Sequence, residues 1–383
     1  MAKEHQFLHV HKTNCNNMSS DGGRARRLAV HRDFGYSSSS QASIHHLRSY
    51  LHFDLCEGEM SQEMGGIFRT KQGYKWLRVL DLEGTYKRLL PKALGKLVHL
   101  RYLGLRRTWL NSLPLSFGDL FNLQTLDLKW TSIKFLPSSI SRMENLRHLH
   151  FKWGECSTDL LHQPNYISFN NLQTLWGVLV PQGTSVANLD QCINLRKLGM
   201  EGDLMSHGKE LTGTITCIPR IYHMQVHMHL VKLHLEGRIL EEFPSFPPNL
   251  TTLTLVGSRL EGHSIIVLKI LPNLKTLKLW YNSYMGNLMV WYPGFPKLEV
   301  LELCWLRIQI LDICEGSMPN LEELEINKCE DLRELPSGLQ FLNHLKELRL
   351  PAMSDHLKER VLPNTGADWY KIAHIPFLRP PLV

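Results

Sequence analysis

The strongest constraint on this chain is a hexad of the form LxxLxL that recurs twelve times along its 383 residues. Ten of the eleven intervals between successive hexads are 20–26 residues long, which is the spacing of stacked structural repeats. The first leucines of the hexads are Leu77, Leu100, Leu123, Leu146, Leu172, Leu195, Leu230, Leu250, Leu274, Leu298, Leu321 and Leu345. Twelve copies in phase predict a repeat architecture for most of the chain.

One copy, residues 123–146, shows what each repeat does. Leu126 and Leu128 are two residues apart, so on a short strand both point to one face while Asp127 points to the other. Pro137 is suited to the first turn of a short helix on the return path. Because one repeat cannot bury its own leucines, neighbouring repeats must stack. The pattern predicts an α/β repeat fold, a leucine-rich repeat solenoid (horseshoe) with a parallel β-sheet on its concave face and short helices or irregular segments on its convex face.

A short polar residue follows many of the hexads, three positions after the last hexad residue. Such a side chain can hydrogen-bond the backbone of the turn that leaves the strand. The residues at this place include Thr85, Thr108, Thr131, Ser258, Asn282 and Cys329. We expect them to close the turns.

Changes in the spacing of the hexads also indicate where the chain divides into segments. ARRLAV and LRSYLH resemble two degenerate hexads separated by a serine-rich loop, and the interval from Leu195 to Leu230 is long. We expect a flexible segment at 1–22, degenerate first repeats at 23–76, an array of about 12 repeats at 77–350 with a longer excursion at about 201–229, and a C-terminal cap and tail at 351–383.

Composition narrows the class of protein. A formal net charge of +7 is mild for a chain of this length, so we expect no nucleic-acid partner. Eight scattered cysteines without a CxxC pair disfavour a disulfide framework. No apolar run is long enough for a signal peptide or a transmembrane segment. A cytoplasmic location is therefore expected.

Several strings together resemble a known family. They are ARRLAVHRD, WLRVLDLEGT, KFLPSSISRMENL, RELPSGLQFLNHL and DWYKIAHIP. This ordered set is similar to the repeat region of plant coiled-coil nucleotide-binding leucine-rich-repeat (NLR) disease resistance proteins. The family also has a coiled-coil domain and a nucleotide-binding switch domain before its repeats, whereas no GxxxxGK[ST] string occurs here.

The resemblance implies the recognition and autoregulatory part of a plant intracellular immune receptor that acts in defence. Its partner would be a pathogen effector, a guarded host protein or an NLR switch domain bound in trans. The alternative is an intracellular signalling adaptor or structural scaffold unrelated to immunity.

The motifs of catalysis are not found. No GxSxG string is present. His223, His227 and His229 have zinc-like spacing, but no cysteine or carboxylate in the same segment completes a ligand set. We expect no enzyme activity, no metal and no cofactor.

Outward-facing strand positions are the candidate partner-binding residues, because tryptophan and arginine are favoured at interface hot spots. The early set is Arg101, Arg106, Lys129, Trp130, Lys152 and Trp153, and the late set is Trp280, Tyr281, Glu302, Trp305, Glu323 and Glu325. A solvated face whose tryptophans pack on their ladder neighbours is the alternative.

Arg106, Lys129 and Lys152 occupy one position in three consecutive repeats. We therefore expect a ladder of like charges about 5 Å apart. An acidic partner surface would turn their repulsion into attraction. RNA binding would instead show itself by a steep dependence of affinity on salt.

Overall fold

The computed structural model describes residues 9–12, 26–31, 46–53, 74–84, 90, 92–151, 156–157, 170–180, 189, 192–202, 204, 227–239, 246–262, 264–290 and 294–379. The chain divides into two compact units, Met1–Leu179 and Val180–Val383. Each unit is a solenoid of short parallel strands, which confirms the predicted leucine-rich repeat fold.

Unit 1 contributes one short strand for each complete or degenerate hexad and two further strands, His9–Lys12 and Cys156–Ser157. The first of these lies within residues 1–22 and pairs with the strand at Arg27–His31, so the expectation of a flexible segment is wrong for residues 9–12. Neighbouring strands pair in parallel and in chain order from β1 to β7, and both β7 and β8 pair with β9. The strands are β1 His9–Lys12, β2 Arg27–His31, β3 Ser49–Phe53, β4 Val79–Asp81, β5 Tyr102–Gly104, β6 Thr125–Leu128, β7 His148–Phe151, β8 Cys156–Ser157 and β9 Thr174–Val180. Short 3-10 helices lie on the return paths, at Lys92–Lys96, Leu115–Asp119 and Ser138–Arg142.

Unit 2 continues the same construction. Its main sheet is parallel in the order β10, β11, β12, β13, β15, β17, β18, β19, and β14 pairs with β16 in a second small sheet. The strands are β10 Lys197–Gly202, β11 Lys232–Glu236, β12 Thr252–Val256, β13 Thr276–Trp280, β14 Leu288–Val290, β15 Val300–Cys304, β16 Leu311–Ile313, β17 Glu323–Asn327, β18 Glu347–Arg349 and β19 Phe377–Arg379. The helices are α1 Ser264–Lys269, α2 Asp355–Arg360 and α3 Trp369–Ile372, with a 3-10 helix at Ser337–Phe341.

The hexad leucines form the core of both units. The first leucine of every hexad is at most 2% exposed, as expected where neighbouring repeats share one continuous core. Two of the predicted polar turn residues bond as expected, because the hydroxyls of Thr108 and Thr131 donate to the carbonyls of Leu105 and Leu128 at 2.7 and 2.8 Å. The prediction is wrong at Ser258, whose buried hydroxyl has no hydrogen-bond partner among the described residues, and Thr85 lies outside those residues. In the part of the chain that the structure describes, no helix is long and apolar enough to cross a membrane.

Asparagines placed immediately before the hexads tie each repeat to the previous one. The side-chain amide of Asn122 donates to the carbonyl of Val98 at 2.8 Å, and that of Asn145 donates to the carbonyl of Phe121 at 2.9 Å. Four further asparagines make the equivalent bond: Asn171, Asn249, Asn273 and Asn320. The carbonyls that they bind belong to turns and have no partner in the sheet, so this spacing adds one hydrogen bond at many of the repeat junctions.

We predict that Asn145→Ala lowers the free energy of unfolding by about 1 kcal/mol, the usual net worth of one hydrogen bond. Urea denaturation at neutral pH measures the change. Asn343→Ala is the matched control, because Asn343 is exposed and its side chain bonds no residue that the structure describes. Equal effects from the two substitutions would contradict a role for these asparagines in joining repeats.

A buried ion network fastens the two C-terminal helices to the last repeat. Asp368 is fully buried and accepts from Arg360 Nε at 2.8 Å, from Lys371 Nζ at 2.8 Å and from the backbone N–H of Leu335 at 3.0 Å. Lys371 is also buried, and its Nζ donates to the Leu335 carbonyl at 2.7 Å. The network joins α2 and α3 to the segment that follows β17.

Burial alone would favour the neutral acid, but the bonds from Arg360, Lys371 and Leu335 outweigh it and hold the pKa of Asp368 below its ordinary value. A lowered folded-state pKa stabilises the protein above the unfolded pKa of about 4, and this contribution is lost as the pH falls below that value.

We therefore predict that Asp368→Asn costs about 3–5 kcal/mol at pH 7, because it leaves buried cations without their counter-charge. The difference from wild type should shrink as the pH is lowered from 5 towards 3. Urea denaturation across this pH range provides the measurement. A difference that stays constant with pH would rule out the ionised carboxylate as the stabilising form.

Candidate protein-binding surfaces

Five arginines form a column along the edge of unit 1 at which the strands begin. We call them the arginine column: Arg26, Arg48, Arg78, Arg101 and Arg147. Each occupies the second hexad position, and Gln124 stands between Arg101 and Arg147. Backbone hydrogen bonds connect successive members, since the N–H of Arg78 donates to the carbonyl of Arg48 at 2.7 Å and that of Arg101 donates to the carbonyl of Arg78 at 2.8 Å. The parallel register therefore places these side chains about 5 Å apart from repeat to repeat.

All five side chains of the arginine column are exposed, and none makes an ion pair with any residue that the structure describes. Unit 2 treats the same hexad position differently. There Lys275 pairs with Glu299 at 2.6 Å, and Lys346 pairs with Glu322 at 2.8 Å. Unit 1 thus keeps a row of uncompensated positive charge, whereas unit 2 neutralises charge between neighbouring strands.

Of the column, only Arg101 belongs to the residues predicted from the sequence. The signal that identifies the rest is the repeated second-position arginine in ARRLAV, LRSYLH, LRVLDL, LRYLGL and LRHLHF.

The expected ladder of like charges does not hold at Arg106, which lies among carboxylates. Its Nη2 lies 2.6 Å from Glu83 and 3.9 Å from Asp81, and its Nε lies 3.7 Å from Asp127. Burial raises the pKa of Asp81 although the Arg106 charge opposes the shift. The arginine is needed to compensate these carboxylates, so the prediction of three freely repelling cations is wrong at Arg106.

The other members of the early set are distributed unevenly. Lys129 is half-buried and makes no ion pair with a described residue. Trp130 is 59% exposed and has a left-handed backbone, with φ of 61°. Lys152 and Trp153 lie outside the residues that the structure describes. The expected ladder is therefore wrong at Arg106 and stays untested at Lys152.

The late acidic residues are also compensated within the chain. Glu302 pairs with Lys278 of the neighbouring strand at 2.7 Å. Arg349 contacts Glu323 at 3.1 Å and Glu325 at 3.6 Å. The register therefore places an opposite charge beside each of these candidate carboxylates.

Three late aromatic residues fall at the end of the strands. The rings of Tyr281 and Trp305 are stacked, with centroids 5.3 Å apart and planes 16° apart. Lys328, which the sequence reasoning missed, places its Nζ 3.8 Å from the Trp305 ring. Trp280 is half-buried beneath Lys278 Nζ at 5.4 Å. The structure thus brings Tyr281 and Trp305 into one group and leaves Trp280 beside it.

The described residues include histidines, cysteines and carboxylates, the groups from which metal sites and reactive thiols are made. They contain no group of three or more His, Cys, Asp or Glu arranged for a metal; His223 lies outside them. Burial raises the pKa of Cys304 to about 12 and that of Cys329 to about 11, so both remain protonated thiols at neutral pH.

Comparison with known proteins identifies the family. A family model described as leucine-rich repeat region matches residues 46–374. The chain belongs to this family. Among solved structures, an internalin of Listeria monocytogenes superposes with a TM-score of 0.53 at 14% identity, over 79% of this chain and 80% of the internalin. That likeness shows the fold alone.

The relatives of this leucine-rich repeat protein are plant proteins. An Arabidopsis thaliana protein named for disease resistance is 32% identical over 99% of this chain and 42% of its own length. Disease resistance protein RPP8 of Arabidopsis thaliana is 37% identical over 39% of this chain and 17% of its own length. The chain therefore spans less than half the length of these relatives, and it is homologous to the repeat region of plant disease resistance proteins.

We predict that the paired arginine Arg106 and the unpaired arginine Arg101 of unit 1 contribute differently to stability. Arg106→Gln should lower the free energy of unfolding by about 1–2 kcal/mol, because Asp81 and Asp127 lose their counter-charge. Arg101→Gln should change it by less than about 0.5 kcal/mol, as for other exposed sites. Urea denaturation of both variants tests the assignment, and a larger loss from Arg101→Gln than from Arg106→Gln would reverse it.

Proposed function

We propose that this leucine-rich repeat protein is a non-enzymatic scaffold for protein recognition, acting in plant defence as the recognition and autoregulatory part of a cytoplasmic immune receptor. Homology to disease resistance proteins supports the biological setting. The arginine column is the observation that supports binding, because it has no structural partner within the described residues.

Repulsion between the arginines of the column destabilises the protein when no partner is bound. Two unit charges about 5 Å apart in water repel by about 1 kcal/mol, and flexible exposed side chains reduce this by moving apart. Nothing in the shared core requires arginine at this position, since Gln124 fills it between two arginines without breaking the register. An acidic partner would convert the repulsion into attraction and would accelerate association.

The surroundings of the column favour a protein partner. Trp76 is 54% exposed and stacks on His99, with centroids 5.0 Å apart. These two residues immediately precede the hexads that carry Arg78 and Arg101. Aromatic area beside arginine is typical of protein interfaces. The proposed partners are an NLR switch domain bound in trans, a pathogen effector or a guarded host protein, and no nucleic acid.

The experiment measures binding of the full chain to the part of the 32% identical Arabidopsis relative that precedes its repeats. The column variant combines Arg78→Glu, Arg101→Glu and Arg147→Glu. Its matched control combines Lys92→Glu, Lys96→Glu and Arg107→Glu, which reverse three exposed cations elsewhere in unit 1.

We expect the column variant to bind at least tenfold more weakly, mainly through slower association at low salt. The control should stay within about twofold of wild type. Absence of binding by the wild-type chain would contradict the switch domain as the partner, and equal losses from both triple variants would contradict the arginine column as the binding surface. Circular dichroism of each variant verifies that the fold is retained.

A further inference from the structure

A second surface, separate from the arginine column, lies where the strands of unit 2 end. Four successive repeats place a residue with left-handed backbone at the same position: Gly257, Tyr281, Trp305 and Lys328, with φ of 64°, 50°, 59° and 52°. Backbone hydrogen bonds keep the repeats in step, since the N–H of Tyr281 donates to the Cys304 carbonyl at 2.9 Å and that of Trp305 to the Asn327 carbonyl at 2.8 Å. The side chains of Tyr281, Trp305 and Lys328 are therefore stacked from repeat to repeat.

The bulky residues in this column are not required by the fold. A left-handed conformation costs a non-glycine residue about 1 kcal/mol or more, and glycine adopts it without this cost. The three repeats before Tyr281 all have glycine here, at Gly202, Gly237 and Gly257. Non-glycine residues also occur at this position in unit 1, at Arg107 and Trp130. What distinguishes Tyr281 and Trp305 is that two exposed rings follow each other in adjacent repeats and stack.

The stack of Tyr281 and Trp305 is covered at the Trp305 end and uncovered at the Tyr281 end. Trp305 has Tyr281 on one face and the Lys328 ammonium at 3.8 Å. Tyr281 is 52% exposed, and among the described residues only Trp305 stacks on it. Its second face is directed to the repeat of Gly257, which has no side chain to cover it. One further planar group would continue the stack there.

Exposed cations stand in the repeats on both sides of Tyr281. Arg259, Arg307 and Lys328 are exposed, and none forms an ion pair with a residue that the structure describes. Arg259 is two residues from Gly257, and Arg307 is two residues from Trp305. A ligand that fits this surface has one planar group with a negatively charged group on each side of it.

We propose that this surface binds a segment of a partner protein in which an aromatic side chain is flanked by aspartate or glutamate. The aromatic ring stacks on the free face of Tyr281, in the space beside Gly257, and the carboxylates meet Arg259 and Arg307. Aromatic pairs of this kind contribute specificity as well as burial, and the exposed cations orient the segment.

A protein segment fits better than single-stranded RNA. Nucleic-acid platforms stack successive bases on several aromatic side chains along a continuous basic groove, whereas this surface offers one free ring face.

The test is selection of a phage-displayed library of random dodecapeptides on the full chain. We expect recovered peptides to carry an aromatic residue within two positions of Asp or Glu, at least tenfold more often than the starting library. These peptides should lose at least tenfold in affinity for Tyr281→Gly, and an excess of a single-stranded RNA 12-mer should not displace them.

Two controls separate binding from folding. Tyr281→Gly should melt within about 2 °C of wild type, because relief of the strained backbone offsets the lost ring stack. Trp130→Gly removes an exposed left-handed tryptophan from unit 1 and should leave peptide binding unchanged. Recovery of peptides without the aromatic–acidic pattern, equal binding to Tyr281→Gly, or displacement by RNA would overturn the proposal.

Discussion

The shared leucine core between neighbouring repeats is the constraint on which the rest of the structure depends. One repeat exposes too much apolar surface to be stable alone, so each strand must lie parallel to the next with its leucines at the same height. That register is visible in pairs such as Leu126 with Leu149 and Leu277 with Leu301. Once it is set inside the sheet, it also aligns every outward side chain with its counterpart in the next repeat, about 5 Å away.

Because of this alignment, the outward side chains at one repeat position form a column, and the charges of neighbouring side chains in that column act together. Where opposite charges alternate, as at Lys278 and Glu302, the column neutralises itself and stiffens the sheet. Where the same charge repeats, as in the arginine column, the charge accumulates and acts on whatever approaches the edge. The two units share one architecture, so the difference between their columns is a difference of surface charge rather than of fold.

The fold was predictable because leucine spacing alone determines which residues must be buried, and the leucines at hexad positions are buried as expected. Arg101 could be found by the same reasoning. The compensation of Arg106 by Glu83 and of Glu302 by Lys278 could not, because it depends on which side chains the register places side by side. The left-handed backbone of Tyr281 and Trp305 could not be predicted from the sequence either, because bulky residues give no local signal for a conformation that glycine normally occupies.

Both proposed surfaces depart from what stability alone would favour, and each departs in a different way. Alternating charges at the arginine column would remove repulsion, and glycine in place of Tyr281 and Trp305 would remove backbone strain. Neither change would disturb the leucine core, since the same sequence already contains repeats built in the less costly way, with Lys275 paired to Glu299 and with glycine at 237 and 257. Local rules are broken most often where function requires it. A repeat protein therefore supplies its own internal control, because each unusual position can be compared with ordinary copies of itself in other repeats of the same chain.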